Sequence, residues 1–120
     1  MSGSAQREPA RPAQFEIWWV SLPEPVGRRP VLLLSRTSAF SYLTRALAVE
    51  VTTTVRHIPQ EVTLGRKEGL ARRCVANLDS LRTIPLESLH ARAGKLAANR
   101  QVHVKRALGH ALHWPELTEL

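Results

Sequence analysis

Gly27-Arg28-Arg29-Pro30-Val31-Leu32-Leu33-Leu34-Ser35 runs a basic corner straight into an apolar stretch. Pro30 fixes its own φ and biases Arg29 toward extended backbone. Residues 31–34 are apolar at every position, as in a strand buried on both faces. An Arg at the mouth of such a strand is launched from constrained backbone, as a site residue needs. A strand that merely follows a polar turn leaves the same trace, because Pro is ordinary at a strand start.

Upstream, residues 15–22 (Phe-Glu-Ile-Trp-Trp-Val-Ser-Leu) are rich in aromatic and β-branched side chains and read as a strand. The adjacent Trp18 and Trp19 put one indole on each face, one in the core and the other on a second buried surface. Residues 23–27 form a short turn. Downstream, 37–44 is a polar connection with turn or short helical character, and a strand at 46–51 runs into Thr52-Thr53-Thr54. A loop at 56–59, a strand at 61–64 and a charged turn at 65–69 follow. Segments 74–78 and 82–84 read as strands on either side of Asp79, 85–89 as a turn, and 91–95 as a last short strand.

The pattern then changes. Val104, Ala107, Leu108, Ala111 and Leu112 recur at helical spacing and make one apolar face, and Pro115 ends the helix from just beyond. Short strands followed by one helix imply a small, strongly bent antiparallel sheet closed by that helix, in the mainly β class with some α. Residues 1–14, without apolar periodicity, are expected to be a disordered leader. Residues 15–114 are expected to form a single domain, and 115–120 a tail.

A chain of 120 residues with 43% hydrophobic and 22% charged side chains suits one globular domain. No apolar run approaches the ~20 residues of a membrane span, and no apolar signal segment opens the chain, so a cytoplasmic location without membrane association is expected. Cys74 is the single cysteine, which rules out an intrachain disulfide and a cysteine metal site and suits a buried structural thiol. Seventeen basic residues against 10 acidic ones give a net charge of +7, mostly from Arg, and call for an anionic partner. The planar guanidinium fork favours phosphate or carboxylate partners, hence nucleic acid or an acidic protein.

His110 and His113 stand three apart, but no carboxylate accompanies them in a metal-binding arrangement, so no metal and no cofactor is expected. There is no Gly-x-Ser-x-Gly elbow, no Walker loop and no dinucleotide fingerprint. What remains is Arg29 at the start of the second strand and the Thr run at the end of the third. In a small barrel those ends lie side by side, which sets Arg29 and the Thr52 hydroxyl at one mouth. Together they suit a phosphodiester: Arg holds non-bridging oxygens and stabilises the added charge of a phosphorane, and Thr adds a hydrogen bond. RNA carries its own nucleophile, the 2′-hydroxyl, so aligning and polarising the phosphate is enough to cut it. Strand propensity alone also puts Thr at a strand end.

Four stretches taken in order and spacing carry a resemblance: 16–22, 27–35, 51–62 (Val-Thr-Thr-Thr-Val-Arg-His-Ile-Pro-Gln-Glu-Val) and 77–84 (Asn-Leu-Asp-Ser-Leu-Arg-Thr-Ile). Over roughly residues 15–112 the chain resembles the MazF/PemK (Kid) family of toxin ribonucleases. The resemblance implies an SH3-like β-barrel with a C-terminal helix, a homodimer, and neutralisation by a cognate antitoxin, for which an acidic tail would suit the basic charge. It also implies metal-independent cleavage of single-stranded RNA that leaves a cyclic phosphate and a 5′-hydroxyl. Arg29 and Thr52 match the family's catalytic Arg and Thr. Glu24 or His57 would move protons, while Arg28, Thr53, Asp79 and Arg82 would bind RNA, with Arg28 alternatively a solvated neighbour and Asp79 alternatively structural.

The chain departs from the family in three places. Phe15 stands where the family usually has Gly, the turn at 23–27 is short, and Ala97 replaces the usual Ser cap of the helix. Two alternatives share the fold: a toxin that poisons DNA gyrase by binding, and a degenerate member that only binds RNA.

Overall fold

A computed structural model describes residues 11–120. Six strands, β1 (Glu16–Ser21), β2 (Arg28–Leu33), β3 (Arg45–Thr52), β4 (Glu61–Leu64), β5 (Cys74–Pro85) and β6 (Leu89–Lys95), precede α1 (Gln101–Leu112) and the short α2 (Pro115–Thr118). The strands form one antiparallel sheet in the order β4-β5-β3-β2-β1-β6, curled into a half-barrel against the C-terminal helix.

Alternation along the strands builds two cores, one on each side of the sheet. Ile17, Leu32, Val49 and Val51 face Val104 and Ala107 of α1, together with Val62, Leu64, Ala76 and Leu78. Trp18, Val20, Val31, Leu33, Ala48 and Ile84 form the second cluster, covered by Leu22, Val26, Phe40 and Leu89. The central strands are therefore buried on both faces, which is why residues 31–34 carry no polar alternation. Trp18 belongs to the second cluster and is buried, whereas Trp19 on the opposite face is only half-buried.

The observed elements differ from the sequence reading where pairing overrides composition. β2 starts at Arg28 because Arg28, Arg29 and Pro30 pair with Ser21, Val20 and Trp19 of β1. Segments 74–78 and 82–84 are not two strands but one, β5, because its first half pairs with both β4 and the end of β3 and its second half with the start of β3. Glu50 alone separates Val49 and Val51, whereas Asn77, Leu78, Asp79 and Ser80 separate their partners Leu81 and Ala76, so β5 bulges around Glu50. The turns at 37–44, 65–69 and 85–89 contain short 3₁₀ segments (Thr37–Ser41, Arg66–Glu68 and Leu86–Ser88).

Residues 1–10 of the expected leader lie outside the described residues. Gln14, by contrast, is tied down, its Nε2 donating to the Leu34 carbonyl at 2.9 Å. Phe15 has φ 69°, a conformation that glycine adopts without steric cost and that the family's usual residue there would suit. At the other end, α1 is preceded by a 3₁₀ turn, Ala98–Arg100, whose cap Ala97 makes no side-chain hydrogen bond. Leu112, expected on the apolar face, is exposed. The chain beyond Pro115 packs back as α2, and a methyl group on Gly109 would crowd Leu117 and Thr118.

Two glycines let backbone touch backbone where the 65–69 turn meets β6. Gly69 has φ 88°, and a Cβ on Gly94 would overlap the Glu68 carbonyl oxygen. Gly94→Ala is therefore expected to lower stability by about 1–3 kcal/mol, the usual cost of overpacking. A urea unfolding curve with an unchanged midpoint would show that this approach is not tight.

Candidate active site

The β2–β3 register places Val31 opposite Glu50. The paired residues end there, and by alternation Arg29 and Thr52, each two residues beyond that pair, lie on one face, which also holds Val20, Val31, Ala48 and Ile84. Arg82, opposite Ala48 on β5, shares that face. Arg29, Glu50, Thr52 and Arg82 thus rise from three adjacent strands to one side of the sheet.

The guanidinium of Arg29 is held from two directions. Its Nη1 donates to Glu50 Oε1 at 3.1 Å and its Nη2 to the Val26 carbonyl at 3.1 Å, while its Nε is buried and has no hydrogen-bond partner. Arg82 Nη1 meets the other carboxylate oxygen, Glu50 Oε2, at 2.5 Å. Thr52 Oγ1 accepts a hydrogen bond from the Thr54 amide at 3.1 Å, a short local turn that leaves its proton free to donate outward. The arrangement is a cationic patch with one hydroxyl donor beside it, suited to the non-bridging oxygens of a phosphodiester.

The remaining sequence-derived residues are placed differently. Glu24 lies in the turn that Arg29 grips through Val26, with its carboxylate folded over Gly27: a Cβ built there would sit 3.1 Å from Glu24 Oε2. The turn itself is closed by Leu22 N–H donating to the Gly27 carbonyl at 3.1 Å. His57 is exposed at φ 57° in the β3–β4 loop, whose shape is set by Glu61 accepting from the Arg56 and His57 amides. Asp79 is exposed on the bulge of β5, where its amide donates to Asn77 Oδ1 at 2.9 Å. No hydrogen bond or ion pair among the described residues joins Glu24, His57 or Asp79 to Arg29 or Thr52.

Strand alternation sends Arg28 and Thr53 to the opposite face. Arg28 stacks over the Trp19 ring at 5.0 Å from its centroid. Next to it, Trp19, Pro30, Val51, Thr53, Leu70 and Arg72 border a cavity of about 290 Å³ with Cys74 in its wall. Glu50 was not among the sequence-derived site residues. A carboxylate in the otherwise apolar string 46–51 was the available signal, but only the pairing of three strands shows that two Arg share it.

Comparison with known proteins supplies the context for this geometry. Residues 13–112 match the model of a family described as PemK-like, MazF-like toxins of type II toxin-antitoxin systems. A curated relative, the probable endoribonuclease MazF5 of Mycobacterium tuberculosis, is 41% identical over 100 residues, spanning 82% of this chain and 91% of the relative. Among solved structures, the M. tuberculosis toxin MazF-mt6 superposes with a TM-score of 0.77 at 32% identity, covering 82% of this chain and 96% of that one. An endoribonuclease in complex with its cognate antitoxin from a mycobacterial species superposes with a TM-score of 0.75 at 26% identity, covering 87% and 97%.

The Cys74 thiol titrates above its usual range, because burial disfavours the thiolate and the nearby Glu68 charge adds to the effect. The native protein is therefore expected to resist alkylation at pH 8 and to react once unfolded by urea, as followed by mass spectrometry. Rapid labelling of the native protein would mean that the cavity beside Trp19 opens to the thiol.

Proposed function

The chain belongs to the PemK-like, MazF-like toxins of type II toxin-antitoxin systems and is a toxin endoribonuclease, and we propose that it cuts single-stranded RNA at the Arg29–Thr52 mouth without a metal ion. The observation that supports this site is the shared face of Arg29, Thr52 and Arg82, with Arg29 pinned by Glu50 and Val26. The endoribonuclease names of relatives at 41% and 35% identity favour this activity over gyrase poisoning.

In the proposed reaction the ribose 2′-oxygen attacks the adjacent phosphorus and loses its proton, the bond from phosphorus to the 5′-oxygen breaks, and that oxygen gains a proton. The products are a 2′,3′-cyclic phosphate and a 5′-hydroxyl. Arg29 donates to the non-bridging oxygens as their charge grows, and Thr52 Oγ–H donates to the same group. Glu24 is better placed than His57 to take the 2′-hydroxyl proton, since it sits in the turn that Arg29 holds. Arg82 binds a flanking phosphate, and Asp79 edges the groove from the β5 bulge. On the opposite face, Arg28 and Thr53 beside Trp19 contact the strand where it passes over the rim. Single-stranded RNA suits such a mouth because its unpaired phosphates and bases are accessible.

The toxin works against an antitoxin, as the structural relatives solved with theirs support. An acidic antitoxin tail matches a toxin of net charge +7. Leu47 and Leu81, exposed on one face of the adjacent β3 and β5, together with Leu43, suit a homodimer contact. No helix among the described residues is long and apolar enough to cross a membrane, and an RNA substrate is consistent with a cytoplasmic location.

Incubating the protein with a long single-stranded RNA and excess chelator is expected to produce discrete fragments. Arg29→Ala should slow this by roughly a hundredfold or more, the effect of losing a transition-state donor. Thr52→Val should slow it about tenfold, as for one hydrogen bond to a charged group. Intact RNA with wild type, or variants as fast as wild type, would refute the assignment; salt-sensitive binding without cleavage would identify a chain that only binds RNA.

A further inference from the structure

Glu50 stands between the two arginines of the site, and neither the proposed chemistry nor the charge of the substrate calls for an acid there. Its carboxylate is mostly shielded, with 21% of the side chain exposed, and each oxygen engages a different guanidinium: Oε1 at 3.1 Å from Arg29 Nη1 and Oε2 at 2.5 Å from Arg82 Nη1. Both arginines are more than a third exposed, so these pairs add little to stability, and their consequence is geometric. The fold makes room for this contact, since β5 bulges at the one β3 position that carries the acid.

Without Glu50, two like charges would face one another from β2 and β5, on either side of β3, with only the Val26 carbonyl to orient Arg29. With it, the trio has a formal net charge of +1, opposite to the −1 of a phosphodiester, and Arg29 is held before substrate arrives. An acid beside a phosphate site opposes phosphate binding, however, so its benefit must fall on the reaction step. We propose that Glu50 is a positioning residue that holds the Arg29 guanidinium in register for the scissile phosphate and is coupled through Arg82 to the flanking one. This rests on the phosphodiester reading of the site given above.

Such a residue has a signature that a merely structural one lacks: removing its charge should lower turnover without weakening binding. The probes are a single-stranded RNA oligonucleotide containing a mapped cut site and the same oligonucleotide with a 2′-O-methyl group at that site. Glu50→Gln is expected to lower single-turnover kcat at least tenfold while binding the methylated RNA as tightly as wild type or up to severalfold more tightly. Its binding should also depend more steeply on salt, since no carboxylate then offsets the charge that Arg29 and Arg82 present to the phosphates. Glu50→Asp, which keeps the charge on a shorter stem, should recover part of kcat. Arg82→Gln, which leaves Glu50 to hold Arg29, should weaken binding but keep kcat within about threefold, a small part of one hydrogen bond to a charged group.

Thermal melts check that each variant is folded. If Glu50→Gln does not fold, Glu50→Asp and Arg82→Gln carry the test. Wild-type kcat in Glu50→Gln, a parallel loss of binding and turnover, or a loss of turnover in Arg82→Gln without a loss of binding would overturn the role of Glu50 while leaving the ribonuclease reading in place. No cleavage by the wild type would instead overturn that reading.

Discussion

The antiparallel register of β2 against β3, with Val31 opposite Glu50, is the constraint on which the site depends. It brings a strand that begins with Arg28-Arg29-Pro30 alongside one that ends in Thr52, and it sends Arg29, Glu50 and Thr52 to the same side. Because side chains alternate along a strand, a slip of one residue would turn Arg29 toward the helix-side core and place Arg28 at the mouth. The apolar residues prevent that slip. Leu32 and Val49 are buried on the helix side, and Val31, Leu33 and Ala48 on the other, so a one-residue slip would exchange core and charged side chains between the faces. The two cores thus fix which side chains reach the site, and the ion pairs within it orient the guanidinium of Arg29.

Both faces of the sheet have work beyond packing. One presents the cationic mouth above the Trp18 cluster, and the other presents Arg28 stacked on Trp19 beside a cavity of about 290 Å³. A chain wrapping over the strand ends would meet both. The short turn between β1 and β2 sits at that rim, held by Arg29 through the Val26 carbonyl, so the residue proposed to carry the chemistry also fastens the loop beside it.

Much of the fold was legible in the sequence, because strand alternation and helical spacing are local patterns. The Phe15-to-Leu22 string, the Arg-Pro corner and the face formed by Val104 and Ala107 each state their element in a few residues. Residues 74–84 were harder. Their polar middle resembles a turn, and only simultaneous pairing with β3 and β4 makes it a bulge in one strand. That Arg29 and Thr52 come from neighbouring strands could be reasoned from strand ends meeting in a small barrel, and alternation from the Val31–Glu50 pair puts both on one face. Glu50 could not be found in that way, because its significance lies in Arg82, 32 residues away in the chain. Arg28 and Thr53 look like natural companions of Arg29 and Thr52 in one dimension, but alternation sends them to the other face. The φ of Phe15 was likewise hidden, since a bulky aromatic gives no local sign of a left-handed backbone.

In the proposed reaction the fold supplies alignment and charge while RNA supplies the nucleophile. This division is tested most directly by placing a single 2′-deoxy sugar immediately 5′ to the scissile phosphate of an otherwise ribose oligonucleotide and analysing the products by mass spectrometry. Cleavage should stop at that phosphate alone, and the unmodified oligonucleotide should yield fragments ending in a 2′,3′-cyclic phosphate. Continued cleavage of the 2′-deoxy site, or a 5′-phosphate on the downstream fragment, would mean that the 2′-hydroxyl is not the nucleophile.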